Sequence, residues 1–410
     1  MKKKLFLITI FLNFYFAKAI DLTIVGNISM GDGLGKIGIN FIKSLKNKCS
    51  INWLPSQGLK PDLKDMPNDI IKIIKNKDKS SGKITILTDI PWCKYGTFAN
   101  NVSADSLIKI AYSMLETNKI PIEWVNIFNN KFDLVVVPDQ YYANVYKDSG
   151  VAIPIFVLPI IMDLKKFYNF SKLEPKRKND IFTFGNNSSI WLHKNVELLI
   201  KAFGLAFSNN KNVRLLINSR HVEPGNNLVA ALKYSNKALI EFTSKKLNDD
   251  GLLNFLSKID CYVSFSKGEG FSLCPRECLA MNIPCIISNN TAHTNICGTG
   301  FVRSVDSNLL VKSIYAHLPS DTGFQFDTKL EDAVLALLDV YNNYNYYKQQ
   351  AIKSRNWLDQ YSFDNLKEKY INLVCPKNIL LGEVNEITDD YLMTDSVLLY
   401  KKYRNYLAIT

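Results

Sequence analysis

Two acidic residues and a set of backbone amides lie close together between residues 264 and 288. Glu269 stands between two glycines, shortly after an apolar run that predicts a buried strand. Glu277 follows in the first turn of a helix predicted to begin near Pro275. Carboxylates accept hydrogen bonds from hydroxyl groups, and exposed amides at the start of a helix can hold phosphate. The favoured chemistry is binding of a ligand with hydroxyl-rich groups on both sides of a phosphate.

The predicted strand Cys261–Phe265 and a second apolar run at Ile283–Ile287 place this segment in a parallel sheet. Ligands of open parallel sheets bind beyond the carboxyl ends of the strands, where Glu269 would lie. A carboxylate there would also favour positive charge developing at the anomeric carbon of a bound sugar. A sugar nucleotide, with its sugar, diphosphate and ribose, has this arrangement of groups. The residues predicted around its distal phosphate are Gly270, Phe271, Ser272 and Leu273.

Both acids also have a structural interpretation, since any carboxylate near a helix N-terminus complements the helix dipole. The alternative is stronger for Glu277, which lies inside the predicted first turn, than for Glu269 on its glycine-flanked loop. The surrounding motif favours the functional interpretation of both residues.

The segment Glu269–Glu277 resembles the donor-site motif E-x7-E of retaining family 4 glycosyltransferases, including the Ala280-Met281 and Pro284 that follow it. A second block, Ser113–Pro121 with Trp124, resembles the E-T-x-x-x-P-x-x-W segment of many of these enzymes. The resemblance extends from about residue 20 to about residue 375. Shorter similar pieces are Val136–Pro138, Gly150-Val151, His193–Asn195 and Ala202-Phe203.

The resemblance implies transfer of a hexose from a nucleoside-diphosphate sugar to a hydroxyl of a glycan, lipid or protein, with retention of anomeric configuration. It assigns Glu277 to the ribose hydroxyls and Lys194 to the diphosphate, which a lysine meets as a point charge. The family pairs this lysine with an arginine a few residues earlier, whereas residues 188–190 of this chain are uncharged. Candidate substitutes are Arg220, after a predicted strand, and Lys267.

A glycine-rich loop, Gly31–Gly35, follows the first predicted strand and opens a helix. It lacks the dinucleotide-binding fingerprint, because no partner acid closes a clear second strand. Similar loops in the family line the cleft beneath the donor phosphates and the acceptor. The resemblance therefore implies that Gly33 and Gly35 contact the donor.

Glu116 and Asp89 each end a predicted strand of the first half and face the predicted cleft. Either side chain could orient the acceptor hydroxyl, Glu116 as a catalytic group and Asp89 as a binding group. For each, a solvated loop acid is an equally good interpretation. The histidine that many relatives carry in this half has no counterpart, since the first histidine of this chain is His193.

The fold class follows from length and periodicity. A chain of 410 residues exceeds one ordinary core, and its apolar runs alternate with amphipathic stretches. This alternation indicates βαβ units with right-handed crossovers and parallel sheets. We predict an α/β fold with two Rossmann-like doubly wound domains facing a cleft, the GT-B arrangement. The predicted strands are Leu22–Gly26, Lys83–Thr88, Ile108–Ser113, Phe132–Val137 and Ile153–Leu158, then Ile181–Phe184, Val213–Asn218, Ala238–Phe242, Cys261–Phe265, Pro284–Ile287 and Phe301–Ser304.

Domain boundaries follow from a charged, aperiodic segment in the middle of the chain. The predicted parts are an acceptor-side domain over 20–165, a linker over 166–180, a nucleotide-sugar-binding domain over 181–345, helices over 346–375 and a tail over 376–410. The resemblance implies that the helices cross back to the first domain.

Residues 1–19 combine three lysines, a short apolar run and a small-x-small ending, as a secretory signal peptide does. The run is too short to span a bilayer comfortably. A cleaved signal would export the chain or send it into the secretory pathway. The alternatives are an uncleaved anchor, which leaves the chain cytoplasmic and membrane-associated, or a start assigned too early. Relatives meet their sugar nucleotide on the cytosolic side, which conflicts with export.

The net charge of +12, carried mostly by lysine, is consistent with anionic donors or an anionic membrane surface as partners, and equally with biased composition. No arginine-rich patch is interleaved with aromatic residues, so we expect no nucleic-acid partner. The eight cysteines fit buried thiols better than a zinc site. No Asp-x-Asp or carboxylate cluster occurs, so we expect no metal and no other cofactor besides the sugar-nucleotide co-substrate.

Two other functional classes remain open. One is a GT-B epimerase or phosphorylase, although the pyridoxal-phosphate lysine environment of phosphorylases is not found in the sequence. The other is a binding protein that keeps the fold without turnover, which the uncharged residues 188–190 favour. Donor hydrolysis separates these classes.

Overall fold

The structure of the chain is a computed structural model. It describes residues 21–31, 33–56, 60–76, 81–173, 181–219, 221, 232–233, 235 and 237–374. The predicted signal peptide, Arg220 and the predicted tail lie outside the described residues. Among the helices that are described, none combines the length and the apolar character needed to cross a membrane.

The first domain contains a six-stranded parallel sheet. Its strands are β1 (Leu22–Val25), β2 (Ile51–Leu54), β3 (Ile84–Leu87), β4 (Ile108–Tyr112), β5 (Leu134–Val137) and β6 (Ile155–Val157). The strand order is β2-β1-β3-β4-β5-β6. All residues of β1, β3 and β5 are buried, because helices cover both faces of a parallel sheet. The helices are α1 (Gly33–Leu45), α2 (Asn68–Ile74), α3 (Ile122–Lys131), α4 (Gln140–Asp148) and α5 (Leu164–Leu173), with a 3-10 turn at Phe98–Asn101.

The second domain has its own six-stranded parallel sheet. Its strands are β7 (Phe182–Asn187), β8 (Val213–Asn218), β9 (Leu239–Thr243), β10 (Cys261–Ser264), β11 (Cys285–Asn289) and β12 (Arg303–Asp306). They lie in the order β12-β11-β10-β7-β8-β9. A separate antiparallel hairpin consists of β13 (Leu309–Lys312) and β14 (Phe324–Asp327).

Helices cover this second sheet and continue to the end of the described chain. They are α6 (Val196–Ala206), α7 (Asp249–Leu256), α8 (Leu273–Ala280), α9 (His293–Cys297), α10 (Leu330–Asn342), α11 (Tyr344–Lys353), α12 (Arg355–Leu358) and α13 (Phe363–Val374), with 3-10 turns at Leu192–Lys194 and Asp359–Tyr361. Helix α13 returns to the first domain, where the Tyr370 hydroxyl donates to the Pro159 carbonyl at 3.0 Å. The ring of Tyr370 packs 4.7 Å from that of Phe41 on α1.

Both strand orders reverse once, between β1 and β3 in the first sheet and between β7 and β10 in the second. Ligands of doubly wound sheets bind at the carboxyl ends of the strands at such reversals. The predicted α/β fold of two Rossmann-like domains is confirmed. The two reversals face the cleft between the domains and decide where the site lies.

The structure differs from the predictions in four details. Strand β2 was not predicted, because the polar Asn52 interrupts a short apolar run and is itself fully buried. The hairpin of β13 and β14 was not predicted either, since both strands leave apolar side chains such as Leu310 exposed. The predicted linker over 166–180 begins inside helix α5, and α8 begins at Leu273 rather than near Pro275.

The two domains touch directly through the hairpin. The backbone amide of Asn118 donates to the Phe324 carbonyl at 3.1 Å, and the Asn118 side chain accepts from the Phe324 amide at 2.7 Å. Beside them, Lys119 and Asp321 form an ion pair of 2.9 Å. The segment that carries Glu116 is therefore held against the second domain.

Candidate active site

A cleft of about 530 Å³ lies between the carboxyl ends of the two sheets, within the size range of small-molecule sites. The first domain lines it with the loop after β1, the start of α1 and the segment after β4. The second domain contributes the segment after β7 and the loops that follow β9 and β10. The predicted site residues that line this cleft are Gly33, Glu116, Lys194, Glu269, Gly270, Phe271, Ser272, Leu273 and Glu277.

Lys194 and Glu269 form an ion pair on the second-domain wall. The distance from Lys194 Nζ to Glu269 Oε1 is 2.8 Å, and the side chains are 18% and 13% exposed. Burial is the largest influence on the pKa of Glu269 and alone would raise it, but Lys194 and the other surrounding groups together hold that pKa below its ordinary value. Burial acts against the Lys194 ammonium as well, yet the nearby carboxylates raise the pKa of Lys194. Both groups are therefore ionised at neutral pH.

The backbone of Glu269 is fixed from two directions. Its amide donates to the Thr291 hydroxyl at 2.8 Å, and its carbonyl accepts from the Tyr142 hydroxyl at 2.6 Å. Tyr142 belongs to α4 of the first domain, so part of this support crosses the domain boundary. The loop is thus held rigidly before any ligand binds, as preorganised sites require.

Glu277 meets a lysine of the other domain. Lys36, on α1, places its Nζ 3.5 Å from Glu277 Oε1, and the two side chains are 21% and 7% exposed. Burial lowers the pKa of Lys36, but Glu277 and Asp249 together raise it above its ordinary value. Lys36 was not among the predicted site residues. Its one sequence signal is its position in the first turn of the helix that the glycine-rich loop opens.

Glu116 is in the cleft, where its Oε2 accepts from the Tyr315 hydroxyl at 3.2 Å. Burial raises the pKa of Glu116. The Lys194 ammonium opposes this effect, and the negative charge of Glu269 adds to it. The net result is a carboxyl group that holds its proton more tightly than an exposed glutamate does.

The loop before α8 presents unused backbone donors to the cleft. Ser272 has a left-handed backbone (φ 65°), and α8 begins at the next residue. The first amides of a helix have no partner within it. Within the described residues, the amides of Phe271, Ser272 and Leu273 donate to no other group. They are available to an anion in the cleft.

A neutral histidine supports this loop from behind. The Nε2 of His293 lies 2.7 Å from the Ser272 hydroxyl, and its Nδ1 lies 2.9 Å from the Ser288 carbonyl. The carbonyl can only accept, so Nδ1 carries the proton and Nε2 accepts from Ser272. Burial lowers the pKa of His293 to about 4, despite the opposing charge of Glu269.

Two predicted residues do not line the cleft. The Asp89 carboxylate accepts from the Ser56 hydroxyl at 2.5 Å and from the Ile90 amide at 2.8 Å, which fixes the loop after β3. A Cβ at Gly35 would overlap the backbone of Ser29, so this glycine allows close packing. Gly33, by contrast, faces open space with only Leu273 within 4 Å of its Cβ position. Asp89 and Gly35 therefore leave the candidate site.

Three further residues of the cleft were not among the predicted site residues. Tyr315 and His317 reach the cleft from the connection between β13 and β14, which carries no recognisable motif. His193 is buried in the cleft wall, and no described group hydrogen-bonds to its Nε2. Burial, followed by the charge of Lys194, holds the pKa of His193 well below its ordinary value. Its ring is therefore neutral.

Across the described residues, no three side chains of His, Cys, Asp or Glu come together in a way that could hold a metal ion. The described cysteines carry free thiols. Among the described residues, the positively charged side chains that line the cleft are Lys36, Lys194 and Lys245. Of the predicted substitutes for the family's arginine, Lys267 pairs with Asp327 at 3.0 Å and does not line the cleft.

Residues 178–318 match the sequence model of a family described as group 1 glycosyl transferases. Three solved structures share the arrangement of both domains. HepE from Anabaena in complex with UDP and glucose has a TM-score of 0.59 at 10% identity, over 87% of this chain and 99% of that one. The fold is GT-B.

The other two are synthases. Sucrose-phosphate synthase from Thermosynechococcus elongatus has a TM-score of 0.63 at 11% identity, over 86% of this chain and 98% of that one. The α,α-trehalose 6-phosphate synthase from Burkholderia multivorans has a TM-score of 0.62 at 9% identity, over 89% and 100%.

A sequence relative is an uncharacterized protein of Sulfolobus islandicus rod-shaped virus 1. It is 19% identical over 279 residues, which cover 65% of this chain and 75% of that protein. The family match in the second domain and the GT-B fold together support a glycosyltransferase.

Proposed function

We propose that this chain transfers a hexose from a nucleoside-diphosphate sugar to a hydroxyl of a glycan, lipid or protein acceptor, with retention of anomeric configuration. The observation that carries the proposal is the ion pair of Lys194 and Glu269 beside the unused amides at the start of α8. It sets a cation, a carboxylate and an anion-binding loop side by side. The structure of HepE, which contains UDP and glucose, shares the fold that builds this site.

The proposed donor position follows from charge. The diphosphate lies against the amides of Ser272 and Leu273, where the helix dipole adds to their attraction. The Lys194 ammonium then divides its contacts between the distal phosphate and Glu269. Glu269 accepts from the hydroxyls of the sugar, and Glu277 from those of the ribose.

In the proposed reaction, the bond between the anomeric carbon and the diphosphate oxygen breaks while the acceptor oxygen bonds to that carbon from the same face. The proton of the acceptor hydroxyl passes to the leaving diphosphate. The leaving diphosphate gains negative charge, which Lys194 and the loop amides stabilise. The sugar gains positive charge, which the Glu269 carboxylate stabilises. Glu116 lies within the electrostatic reach of both residues and is the proposed contact of the acceptor hydroxyl.

We also propose that the reaction needs no divalent metal, since lysines and amides already supply positive charge where the diphosphate would bind. The measurement is transfer in the presence of a chelator, which should leave the rate unchanged. Loss of activity that Mg²⁺ restores would contradict this part of the proposal.

Membrane-surface association and export both stay proposals that rest on the sequence. N-terminal sequencing of the mature protein decides between a cleaved signal and an uncleaved anchor. Co-sedimentation with anionic vesicles tests the membrane surface as a partner.

The test of function is a panel of UDP- and GDP-sugars, with release of nucleotide and of sugar measured together. Release from one donor supports the transferase, and the anomeric configuration of the product by NMR tests retention. Binding without release would favour a binding protein, which the uncharged residues 188–190 also favour. A chain that binds neither nucleotide would overturn both.

A further inference from the structure

A single arginine lies fully buried behind the phosphate-facing loop. Arg276, on α8, is 0% exposed, and its guanidinium carbon lies 4.0 Å from the ring centre of Phe271. The rings of Tyr361 and Trp357, from the helices that return to the first domain, lie at 4.6 Å and 5.6 Å. Aromatic faces attract a guanidinium but leave its charge in place.

No described carboxylate neutralises this charge through an ion pair. The Nε and Nη2 atoms of Arg276 also have no hydrogen-bond partner among the described residues. Arg276 acts on Asp139 only through space: burial raises the pKa of Asp139, and the arginine partly opposes that rise. An unpaired buried cation is costly, so its position calls for a physical reason.

The contacts of Arg276 suggest that reason. Its Nη1 donates to the carbonyls of Phe271 and Ser272, the latter at 3.1 Å. These two carbonyls belong to the same planar peptide groups as the amides of Ser272 and Leu273. In a trans peptide the N–H points away from the carbonyl, so a donor behind the carbonyl leaves the amide free on the other side.

Hydrogen bonds in a chain polarise one another, and an ionised donor strengthens the effect. The guanidinium therefore makes the amides of Ser272 and Leu273 better donors while it fixes their orientation. Both residues line the cleft, and neither amide donates to another described group. Arg276 thus increases the partial positive charge on two amide hydrogens that face the cleft, although its own side chain does not enter the cleft.

We propose that Arg276 is a positioning residue for the diphosphate, acting through the Phe271–Ser272 and Ser272–Leu273 peptide groups and compensating for the uncharged residues 188–190. The inference rests on the proposed function, because it takes the ligand to be a nucleoside diphosphate. Arginine suits this role better than lysine, since one planar group can stack on Phe271 and donate to two carbonyls.

The experiment compares UDP and GDP with uridine and guanosine by titration calorimetry, using the full chain. Arg276→Met removes the charge but keeps an unbranched side chain that packs against the aromatic rings. We expect its affinity for the nucleoside diphosphate to fall about tenfold, because bonds to charged donors are the stronger ones. Affinity for the matching nucleoside should stay within about twofold, since the base and ribose do not depend on these amides.

The matched control is Arg303→Met. Arg303 lies in the same domain, pairs with Asp339 at 2.7 Å and does not line the cleft. The Arg303→Met substitution should leave the affinities for the nucleoside diphosphate and for the nucleoside unchanged. Arg276→Lys keeps the charge without the planar group that stacks on Phe271, and it should lose less affinity than Arg276→Met, roughly threefold.

The outcomes separate the inference from the proposed function. If the unmodified chain binds neither UDP nor GDP, the proposed function fails and the inference with it. If it binds one of them and Arg276→Met weakens nucleoside and diphosphate equally, Arg276 is merely structural. Unchanged diphosphate affinity in a folded variant would also overturn the inference. Should Arg276→Met not fold, as its melting curve would show, the same comparison with Arg276→Lys decides.

Discussion

The two acid–lysine pairs of the cleft are built differently. Lys194 and Glu269 both belong to the second domain, and their charged atoms are 2.8 Å apart. Lys36 and Glu277 belong to different domains and are 3.5 Å apart. Both side chains of the first pair come from the second domain, although Tyr142 of the first domain also holds the Glu269 backbone. The second pair forms only when the domains meet.

This difference separates the residue proposed to bind the sugar from the residue proposed to bind the ribose. The group assigned to the sugar is set in advance, in a loop that Thr291 and Tyr142 hold by its backbone. Preorganised charges stabilise a transition state without reorganising during the reaction. The group assigned to the ribose pairs with Lys36 of the other domain, so its surroundings depend on the contact between the domains.

The largest effect should come from Glu269→Gln, which keeps the shape of the side chain but removes its charge. We expect the rate of transfer to fall about 100- to 1000-fold, the usual cost of losing one preorganised electrostatic group. The measurement is the rate of hydrolysis of the sugar-nucleotide donor. Glu241→Gln, at an exposed acid paired with Arg214, is the control and should be neutral. Near-normal activity of Glu269→Gln would remove the sugar-binding role from the first pair.

Gly268→Ala tests whether the Lys36–Glu277 pair depends on the contact between the two domains. A Cβ at this glycine would overlap the carbonyl oxygen of Glu116 in the first domain, so the domains must move apart. We expect the rate of transfer to fall about 100-fold, because a small misplacement of the reacting groups can slow a reaction by that factor. Small-angle scattering should show a larger radius of gyration, while UDP or GDP still binds. Gly298→Ala, whose Cβ meets only the Thr294 carbonyl at 3.3 Å, is the control.

Double-mutant cycles compare the two pairs directly, with denaturant unfolding as the measurement. The Lys194→Met and Glu269→Gln cycle should give a coupling energy of roughly 2 kcal/mol, because the pair is close and mostly buried. The Lys36→Met and Glu277→Gln cycle should give a smaller coupling energy, roughly 1 kcal/mol, because its charged atoms are 3.5 Å apart. Equal coupling energies would contradict the distinction between the pairs.

The pH dependence of the first cycle follows from the pKa of Glu269, which lies below its ordinary value of 4.5. A depressed pKa stabilises the fold above the unfolded value, and this stabilisation is lost as pH falls through the folded value. The coupling should therefore persist at pH 5 and disappear only at pH values below 4.5.

Glu116→Gln gives the smallest expected effect. It should raise the stability of the fold, whereas the other substitutions weaken activity or stability. The pKa of Glu116 is raised, mainly by burial, so the stability of the fold decreases as the pH rises from the ordinary value of 4.5 through the folded pKa. The variant should be more stable than the parent chain at pH 8 and not at pH 4, by chemical denaturation. Lower stability at pH 8 would show that the ionised carboxylate is well paired.

The sequence predicted the parts of the site that are local. A strand, two glycines around Glu269 and a helix occupy one continuous segment, so periodicity and turn residues were enough to locate it. Lys36 could not be paired with Glu277 in the same way, because 241 residues separate them. Asp89 was misplaced since a strand end predicts proximity to the cleft but not the direction of the side chain.

Sequence alone determined two parallel-sheet domains and the position of Glu269 at the end of a strand, because alternating apolar runs and glycine-flanked turns act over short distances. Only the tertiary structure decided which cation meets which carboxylate, and that Arg276 lies buried behind the Ser272 and Leu273 amides. The two ion pairs join residues 75 and 241 positions apart in the chain. Arg276 contacts its loop locally, but its burial depends on the distant rings of Trp357 and Tyr361. The geometry of these contacts depends on how whole domains and returning helices pack, which no local pattern of residues records.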